Sequence, residues 1–334
     1  MKQWRRAIPG LVISALALIA VLALSDPRTL WQALRAVPLA VLAAAAGLLA
    51  ASLMLRALAW RWLLGRRVTW SEAFWALSVG YLVNNVIPFR AGEATRALLI
   101  APRAKVSFWH ALSTVLVERL LDVVMLAGML VGALPWVLDL PWARRTSWAF
   151  GSGALGVLLV LMALARYRGA IAQAVTAWQA RRPRAGWVNT LARWALTALD
   201  GLEALTSPLT LVWVVTLMLA SWAVQIIAYG MTLRALVPQA SYLWAAFVLG
   251  SVGMGIAVPS APGGLGVMEG VIVFVLGALG VDASVALAFA LAMHGVYYVV
   301  TGILGWIGVM VYGVSMPGML EQIRCQGEYD ASQQ

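Results

Sequence analysis

Charged side chains stand inside segments of the first half of the chain that are otherwise apolar. Glu118 and Asp122 are four residues apart, so their carboxylates share one helix face, with Arg119 turned about 100° away. Arg56 and Glu118 each lie roughly 14 Å from the expected cytoplasmic end of their helices and can meet as an ion pair. Charge in hydrocarbon is costly, and such residues usually face a bundle interior or a water-filled cavity.

Further polar residues surround Pro88, which interrupts the apolar stretch that begins at Phe74. Asn84 and Asn85 bring amide donors and acceptors, and the guanidinium groups of Arg90 and Arg96 match phosphate oxygens. This composition suits an anionic phosphate headgroup that carries further polar groups. The alternative is that the charges only form satisfied buried pairs that fix helix register. The predicted lipid-headgroup cavity comprises Asn84, Asn85, Pro88, Arg90, Gly92, Glu93, Arg96, Arg56, Glu118, Arg119 and Asp122.

A second interruption combines prolines and glycines ahead of a glutamate, in Pro259, Pro262, Gly263, Gly264, Gly266 and Glu269. It opens a helix whose N-terminus can attract negative charge. It is not a nucleotide loop, because no Gly-Lys-Ser/Thr follows and no G-x-G-x-x-G opens a strand-helix unit. In the last span, His294, Tyr297 and Tyr298 are interpreted as ordinary core residues.

The two interrupted stretches, 74–87 and 242–279, resemble one another as a weak internal repeat. Both place Ser-Val-Gly ahead of a proline, then a glycine, then a glutamate. Proline removes a backbone donor and disfavours helix at the residue before it, so each stretch should be a helix, a break and a second helix. Irregular backbone at membrane depth needs protein or a polar cavity around it. Re-entrant hairpins would give an inverted repeat typical of transporters, whereas the second stretch can alternatively cross twice.

The remaining composition predicts a polytopic membrane protein. The chain is 63% hydrophobic and only 11% charged, with a mean hydropathy of +0.87, which excludes a soluble enzyme and a disordered chain. The first apolar run is interpreted as an uncleaved helix rather than a signal peptide. We predict an all-α membrane bundle of about six to eight transmembrane helices with two broken or re-entrant helix pairs. Uninterrupted spans are predicted at 8–24, 38–64, 108–138, 147–165, 209–231 and 284–312.

The basic charge is interpreted as an orientation signal. The chain has 24 Lys and Arg against 13 Asp and Glu, and the cations lie mostly between apolar runs rather than on a soluble nucleic-acid-binding face. Both termini are therefore expected in the cytoplasm. We expect one integral membrane domain over 1–316, with a cytoplasmic segment at 166–208 that either lies in the headgroup layer or simply connects spans, and a polar tail over 317–334.

Catalytic and metal chemistry find little support. Cys325 is the sole cysteine, and two histidines fall short of a metal cluster. No Ser/His/Asp set can be assigned, so no catalytic residue and no cofactor is predicted and the chain is not expected to be an enzyme. Glu118 with Asp122 could still serve acid/base work, a proton relay or a cation counter-charge.

Three ordered motifs carry a family resemblance, namely NNVIPFRAGEATRALLI, VLVERLLDVVML and PSAPGGLGVMEG. They resemble the lysylphosphatidylglycerol synthase transmembrane-region family, a flippase-like family that includes the membrane half of the bacterial multiple peptide resistance factor. The resemblance implies a helical bundle whose polar cavity handles a lipid headgroup. Its best-known member moves aminoacylated phosphatidylglycerol between leaflets. No soluble aminoacyltransferase domain is expected here, so the resemblance does not imply synthase activity.

These features together predict a lipid transporter or flippase-like protein of the bacterial inner membrane. It would move a polar or anionic lipid by alternating access around a cavity between the two breaks. Membrane lipids would be its partners, and nucleic acid would not. The alternative is an enzyme subunit or scaffold for lipid or lipid-linked glycan modification, acting with a separately encoded lipid-modifying enzyme.

Overall fold

The computed structural model describes residues 2–87, 91–137, 162–180, 206–255 and 261–313, with isolated positions between 149 and 202. Within those residues the regular structure is helical throughout, which confirms the all-α prediction. The helices are α1 (Lys2–Ala23), α2 (Pro27–Ala36), α3 (Leu39–Leu63), α4 (Trp70–Val86), α5 (Ala91–Ala104), α6 (Phe108–Val137), α7 (Arg168–Ala180), α8 (Pro208–Leu236), α9 (Tyr242–Gly255), α10 (Val267–Ala278) and α11 (Ala283–Tyr312).

Four helices of the described residues, α3, α6, α8 and α11, are long and apolar enough to cross a membrane. The apolar part of α1 and the following α2 bend by 94° and together add a fifth candidate. The chain is therefore a multi-pass membrane protein. The predicted span 147–165 lies partly outside the described residues, and the predicted tail 317–334 with Cys325 lies wholly outside them.

Side-chain caps fix where several helices begin. α4 starts with a capping box, in which the Thr69 hydroxyl accepts from the Glu72 N–H and the Glu72 carboxylate accepts from the Thr69 N–H. Asp282 accepts from two N–H groups at the start of α11. These caps satisfy backbone donors that have no intrahelical partner.

Both interrupted stretches fold as a helix, a break and a second helix. The first joins α4 to α5, and the second joins α9 to α10 through a 3-10 turn at Pro262–Gly264. Each pair folds back on itself. A side chain at Gly92 would lie 2.0 Å from the Gly80 carbonyl oxygen, and one at Gly255 would lie 2.7 Å from Val271. At 1.5 Å per residue α5, α9 and α10 are roughly 18 to 21 Å long, short of a bilayer core of about 30 Å, which favours re-entrant hairpins.

Two apolar cores hold the bundle together. The first is built by α3 to α6 with the first half of α8, around fully buried residues such as Trp60 and Leu77. The second is built by α9, α10 and the first half of α11, around residues such as Ile272 and Phe289. The second half of α11 contributes to the first core and packs along α4. Helix α11 therefore contacts both breaks.

Of the predicted cytoplasmic segment, α7 is the part described in continuous structure. It has no buried residues, and the Trp178 side chain is 37% exposed. An exposed helix of this kind is compatible with a place in the headgroup layer. The other tryptophans of that segment, Trp187 and Trp194, lie outside the described residues, as do its arginines after α7.

Candidate functional site

Helices α3 and α6 meet through an arginine clamped by a carboxylate. The two terminal nitrogens of Arg56 donate to the two oxygens of Asp122 at 2.8 Å each, a bidentate charge-assisted pair. The expected contact with Glu118 is present, but at 3.6 Å it is the longer one. Arg56 and Asp122 are both buried, so this pair is a structural tie between the two helices.

A second buried pair joins α5 to α6. Arg96 Nη2 donates to Glu118 Oε2 at 2.6 Å, and both side chains are almost completely buried. The Arg96 guanidinium lies over the Trp60 ring at 4.2 Å from its centroid, where the ring face attracts a cation. Its Nε and Nη1 atoms have no hydrogen-bond partner. Arg96 is thus committed to Glu118, rather than to the neighbouring Glu93.

The accessible end of the cluster is a third pair. Arg119 Nε approaches Glu93 Oε1 at 3.2 Å, with 28% and 14% of the two side chains exposed. Arg119 also reaches Asp122 at 3.3 Å, so the expectation that Arg119 turns away from the carboxylate face was wrong for its charged end. The long side chain bridges the angular separation at the backbone.

Asparagine amides tie this accessible end to the first break. Asn84 Nδ2 donates to Glu93 at 3.2 Å, and Asn84 Oδ1 accepts from the Gly92 N–H at 2.8 Å. Asn85 Nδ2 donates to the Thr301 hydroxyl of α11 at 2.8 Å. Asn84, Gly92 and Glu93 thus lie together at the first break, and Asn85 connects the break to α11. Pro88, Arg90 and Pro259 lie outside the described residues.

We call the six charged side chains Arg56, Glu93, Arg96, Glu118, Arg119 and Asp122 the ionic network. Three positive and three negative groups give it no formal net charge. Four of the six are less than 9% exposed, and the accessible groups are Arg119 and Glu93. The described part of the network therefore offers an opposite-charge pair at its edge rather than a cationic pocket.

The sequence analysis missed two tryptophans of this network. Trp222 Nε1 donates to Asp122 at 3.1 Å, and the Arg56 guanidinium lies 4.7 Å from the centroid of the Trp222 ring. Trp60 lies under Arg96 as described above. Tryptophans of a membrane protein usually mark the two interfaces. The position of Trp222 near the middle of the apolar helix α8 was the signal that it does something else.

The second break has a different construction. Gly263, Gly264 and Gly266 all have positive φ values of 68°, 79° and 81°, which L side chains rarely adopt. The Gly266 N–H donates to Glu269 Oε2 at 2.7 Å. The negative charge at the N-terminus of α10 is therefore the carboxylate of the helix's own Glu269.

Glu269 also contacts a histidine that the sequence analysis interpreted as an ordinary core residue. His294 Nδ1 lies 2.5 Å from Glu269 Oε1, and His294 Nε2 lies 3.1 Å from the Gly263 carbonyl oxygen. Both side chains are buried. The Tyr298 hydroxyl donates to the Pro262 carbonyl at 3.1 Å. These contacts of His294 and Tyr298 hold the turn of the second break against α11.

Within the described residues, no group of three or more His, Cys, Asp or Glu side chains could hold a metal ion. The carboxylates of the ionic network each face an arginine instead.

Comparison with known proteins relates the chain to membrane proteins of lipid and glycan chemistry. It is similar to a protein of the archaeon Haloferax volcanii named Glycosyltransferase AglD, with 27% identity over 348 aligned residues. The alignment covers 94% of this chain but 56% of that relative, so the chain spans little more than half of it. No solved structure matches the chain. The family model described as lysylphosphatidylglycerol synthase TM region matches residues 8–305, and the chain belongs to this family.

Proposed function

We propose that the protein is a flippase-like lipid transporter, which moves a polar or anionic lipid between membrane leaflets. The observation that supports this most strongly is the ionic network, which lies among apolar helices and is accessible at Arg119 and Glu93. Charged groups at such positions usually serve a passage for polar substrates. Family membership supports a role in lipid chemistry.

A lipid headgroup that leaves water must exchange its hydration for other polar partners. Arg119 can donate to a phosphate oxygen, and Glu93 can accept from an ammonium or hydroxyl group. The acyl chains would stay in the surrounding hydrocarbon. Binding would separate Arg119 from Glu93, and the buried pairs behind them would hold α3, α5 and α6 in place.

The proposed location is the bacterial inner membrane, with both termini in the cytoplasm. The excess of cations between the apolar runs favours this orientation. Membrane lipids are the proposed partners.

The test is lipid movement in liposomes that contain the purified protein and fluorescently labelled phosphatidylglycerol. The label in the outer leaflet is reduced chemically, and the protected fraction reports movement from the inner leaflet. We expect wild-type protein to accelerate this movement, and Glu93→Gln and Arg119→Gln each to slow it at least tenfold.

Arg103→Gln is the matched control. Arg103 also faces a glutamate, Glu72, at 3.9 Å, but that pair is more than one-third exposed and lies outside the ionic network. The Arg103→Gln variant should leave lipid movement unchanged. Thermal unfolding must show that all three variants are folded. Equal movement with and without the wild-type protein would refute transport, and equal movement in all variants would refute the role of the network.

A second candidate is an enzyme subunit or scaffold for modification of a lipid or lipid-linked glycan. The relative named as a glycosyltransferase favours it. Against a catalytic role, Glu118 and Asp122 are both buried and engaged in ion pairs with arginine. A deletion strain distinguishes the candidates. Loss of a lipid species would indicate modification, and co-purification of a lipid-modifying enzyme would indicate a scaffold, whereas unchanged content with altered leaflet distribution would indicate transport.

A further inference from the structure

We propose that Glu269 and His294 form a buried proton-binding site, whose occupancy controls the turn of the second break and thereby the conformational cycle of transport. The control of transport rests on the function proposed above. The proton site itself rests on the contacts of the second break alone.

The hydrogen bonds of His294 require an extra proton. Its Nε2 atom faces the Gly263 carbonyl oxygen, which can only accept, and its Nδ1 atom faces Glu269 Oε1. Glu269 Oε2 already accepts from the Gly266 N–H. A neutral imidazole has one N–H and cannot donate to both neighbours. Both contacts are satisfied by an imidazolium beside a carboxylate, or by a neutral imidazole beside a carboxylic acid, and each of these arrangements holds the same additional proton.

Loss of that proton removes one of the two contacts. With Glu269 ionised and one N–H left on the ring, the charge-assisted bond from Nδ1 to the carboxylate is the stronger one. The lone pair of Nε2 would then face the lone pairs of the Gly263 carbonyl oxygen. This repulsion would release the turn from α11. Gly263 has no side chain that would restrict backbone movement. It cannot be replaced by a larger residue, because a side chain there would collide with the Tyr298 hydroxyl.

Within the described residues, the elements packed around the pair present tyrosines and one arginine as their titratable groups. Tyr297 and Tyr298 face it from α11, Tyr229 from α8, and Tyr81 of α4 contacts Tyr297. Tyrosines ordinarily titrate near pH 10. Arg119 of α6 interacts electrostatically with Tyr297 and stays charged. On the other sides α1 presents Ser14 and Ala17, α9 presents Gly255, and α2 meets α11 nearer its start at Ser284.

Helix α11 connects this site to the ionic network. Thr301 lies seven residues after His294, which is about two helical turns. Its hydroxyl accepts from Asn85, next to the Asn84 that contacts Glu93. A shift of α11 on proton loss would therefore act on the first break. The pair thus offers a site at which a proton gradient could drive lipid movement.

The first test is nuclear magnetic resonance of the imidazole ring in lipid nanodiscs. The chain has two histidines, so His110→Gln leaves His294 as the sole ring to be labelled with nitrogen-15. We expect the ring nitrogens to report loss of the shared proton in a single step, and Glu269→Gln to reduce the proton affinity of the site at least tenfold. Glu72→Gln is the matched control, since Glu72 also accepts from its own helix start but lies opposite Arg103 rather than His294. An unchanged titration in Glu269→Gln would overturn the proposal.

The second test leaves the pair intact and follows the turn. In a Cys325→Ser background, a nitroxide label at Leu265→Cys reports the turn, and one at Phe274→Cys reports α10; both positions are exposed. The label at 265 should become at least twofold more mobile over the pH range in which His294 loses its proton, while the label at 274 stays unchanged. A label at 265 with no change over that range would overturn the control of the turn. Neither test measures lipid movement. If the protein does not move lipid in liposomes, the proposed transport is refuted, but the proton site is still decided by these two tests.

Discussion

The two breaks share a helix-break-helix construction but differ in the chemistry that holds them. The first is surrounded by arginine–carboxylate pairs from three helices, with Arg119 and Glu93 at the accessible edge. The second is held by one carboxylate, one imidazole and the backbone carbonyls of Pro262 and Gly263. The first break is thus held by ion pairs, and the second by hydrogen bonds that depend on a proton.

In the proposed transporter, this difference would separate two tasks. Arginine does not lose its proton in proteins, so the guanidinium groups of the first break stay charged. Histidine changes charge between about pH 5 and 8 when its surroundings permit it. The first break is suited to a headgroup that enters and leaves, and the second to a proton that does so.

The largest effect is expected from removing one partner of a buried pair at the first break. Asp122→Asn leaves Arg56 buried without its carboxylate, and should lower the free energy of unfolding by about 3–5 kcal/mol. The double variant Arg56→Met with Asp122→Leu should recover most of this loss, because no uncompensated charge remains. Unfolding in detergent, induced by heat or by denaturant, measures the free energy of unfolding of both variants. A double variant as unstable as the single one would show that the pair is needed for more than charge balance.

A smaller effect is expected from filling the contact between the two helices of the first break. Gly92→Ala would place a methyl group against the Gly80 carbonyl and force α4 and α5 apart. The expected destabilisation is about 1–3 kcal/mol, as for other overpacked sites. Gly128→Ala is the control, because a side chain at Gly128 of α6 meets no atom within 4 Å. The measurement is the thermal unfolding midpoint of each variant. Equal midpoints for Gly92→Ala and Gly128→Ala would contradict the close packing of α4 against α5.

The smallest effect concerns the connection between the two breaks. Thr301→Val removes the hydroxyl that accepts from Asn85, and Thr232→Val removes a buried hydroxyl that bonds only within its own helix turn. The first should be more destabilising by about 1 kcal/mol, the typical contribution of one hydrogen bond. The difference between the unfolding midpoints of Thr301→Val and Thr232→Val measures this difference in stability. A larger loss for Thr232→Val would contradict a link through Asn85.

Local features of the structure were predictable where a single segment determines them. The bounds of α6 and α11 agree with the predicted spans to within a residue, because their hydrophobic runs are long and uninterrupted. The spacing of Glu118 and Asp122 placed both carboxylates on one face, and both do face partners inside the bundle. The prolines and glycines of the two stretches predicted the breaks.

Pairings between distant segments were harder to predict. Asp122, rather than Glu118, is the main partner of Arg56, and Trp222 joins them from a helix 100 residues further along the chain. His294 meets Glu269 across 25 residues. Which helix faces approach one another depends on the packing of the whole bundle, and periodicity within one segment carries no such information.

The sequence by itself determined that this chain is a helical membrane protein with two breaks and an unusual set of charges, because hydropathy, proline and glycine act locally. Only the tertiary structure decided that those charges pair into a network with one accessible edge, and that a buried carboxylate meets an imidazole at the other break. Ion pairs and hydrogen bonds depend on distances of a few ångströms between side chains. Those distances exist only once the helices have packed.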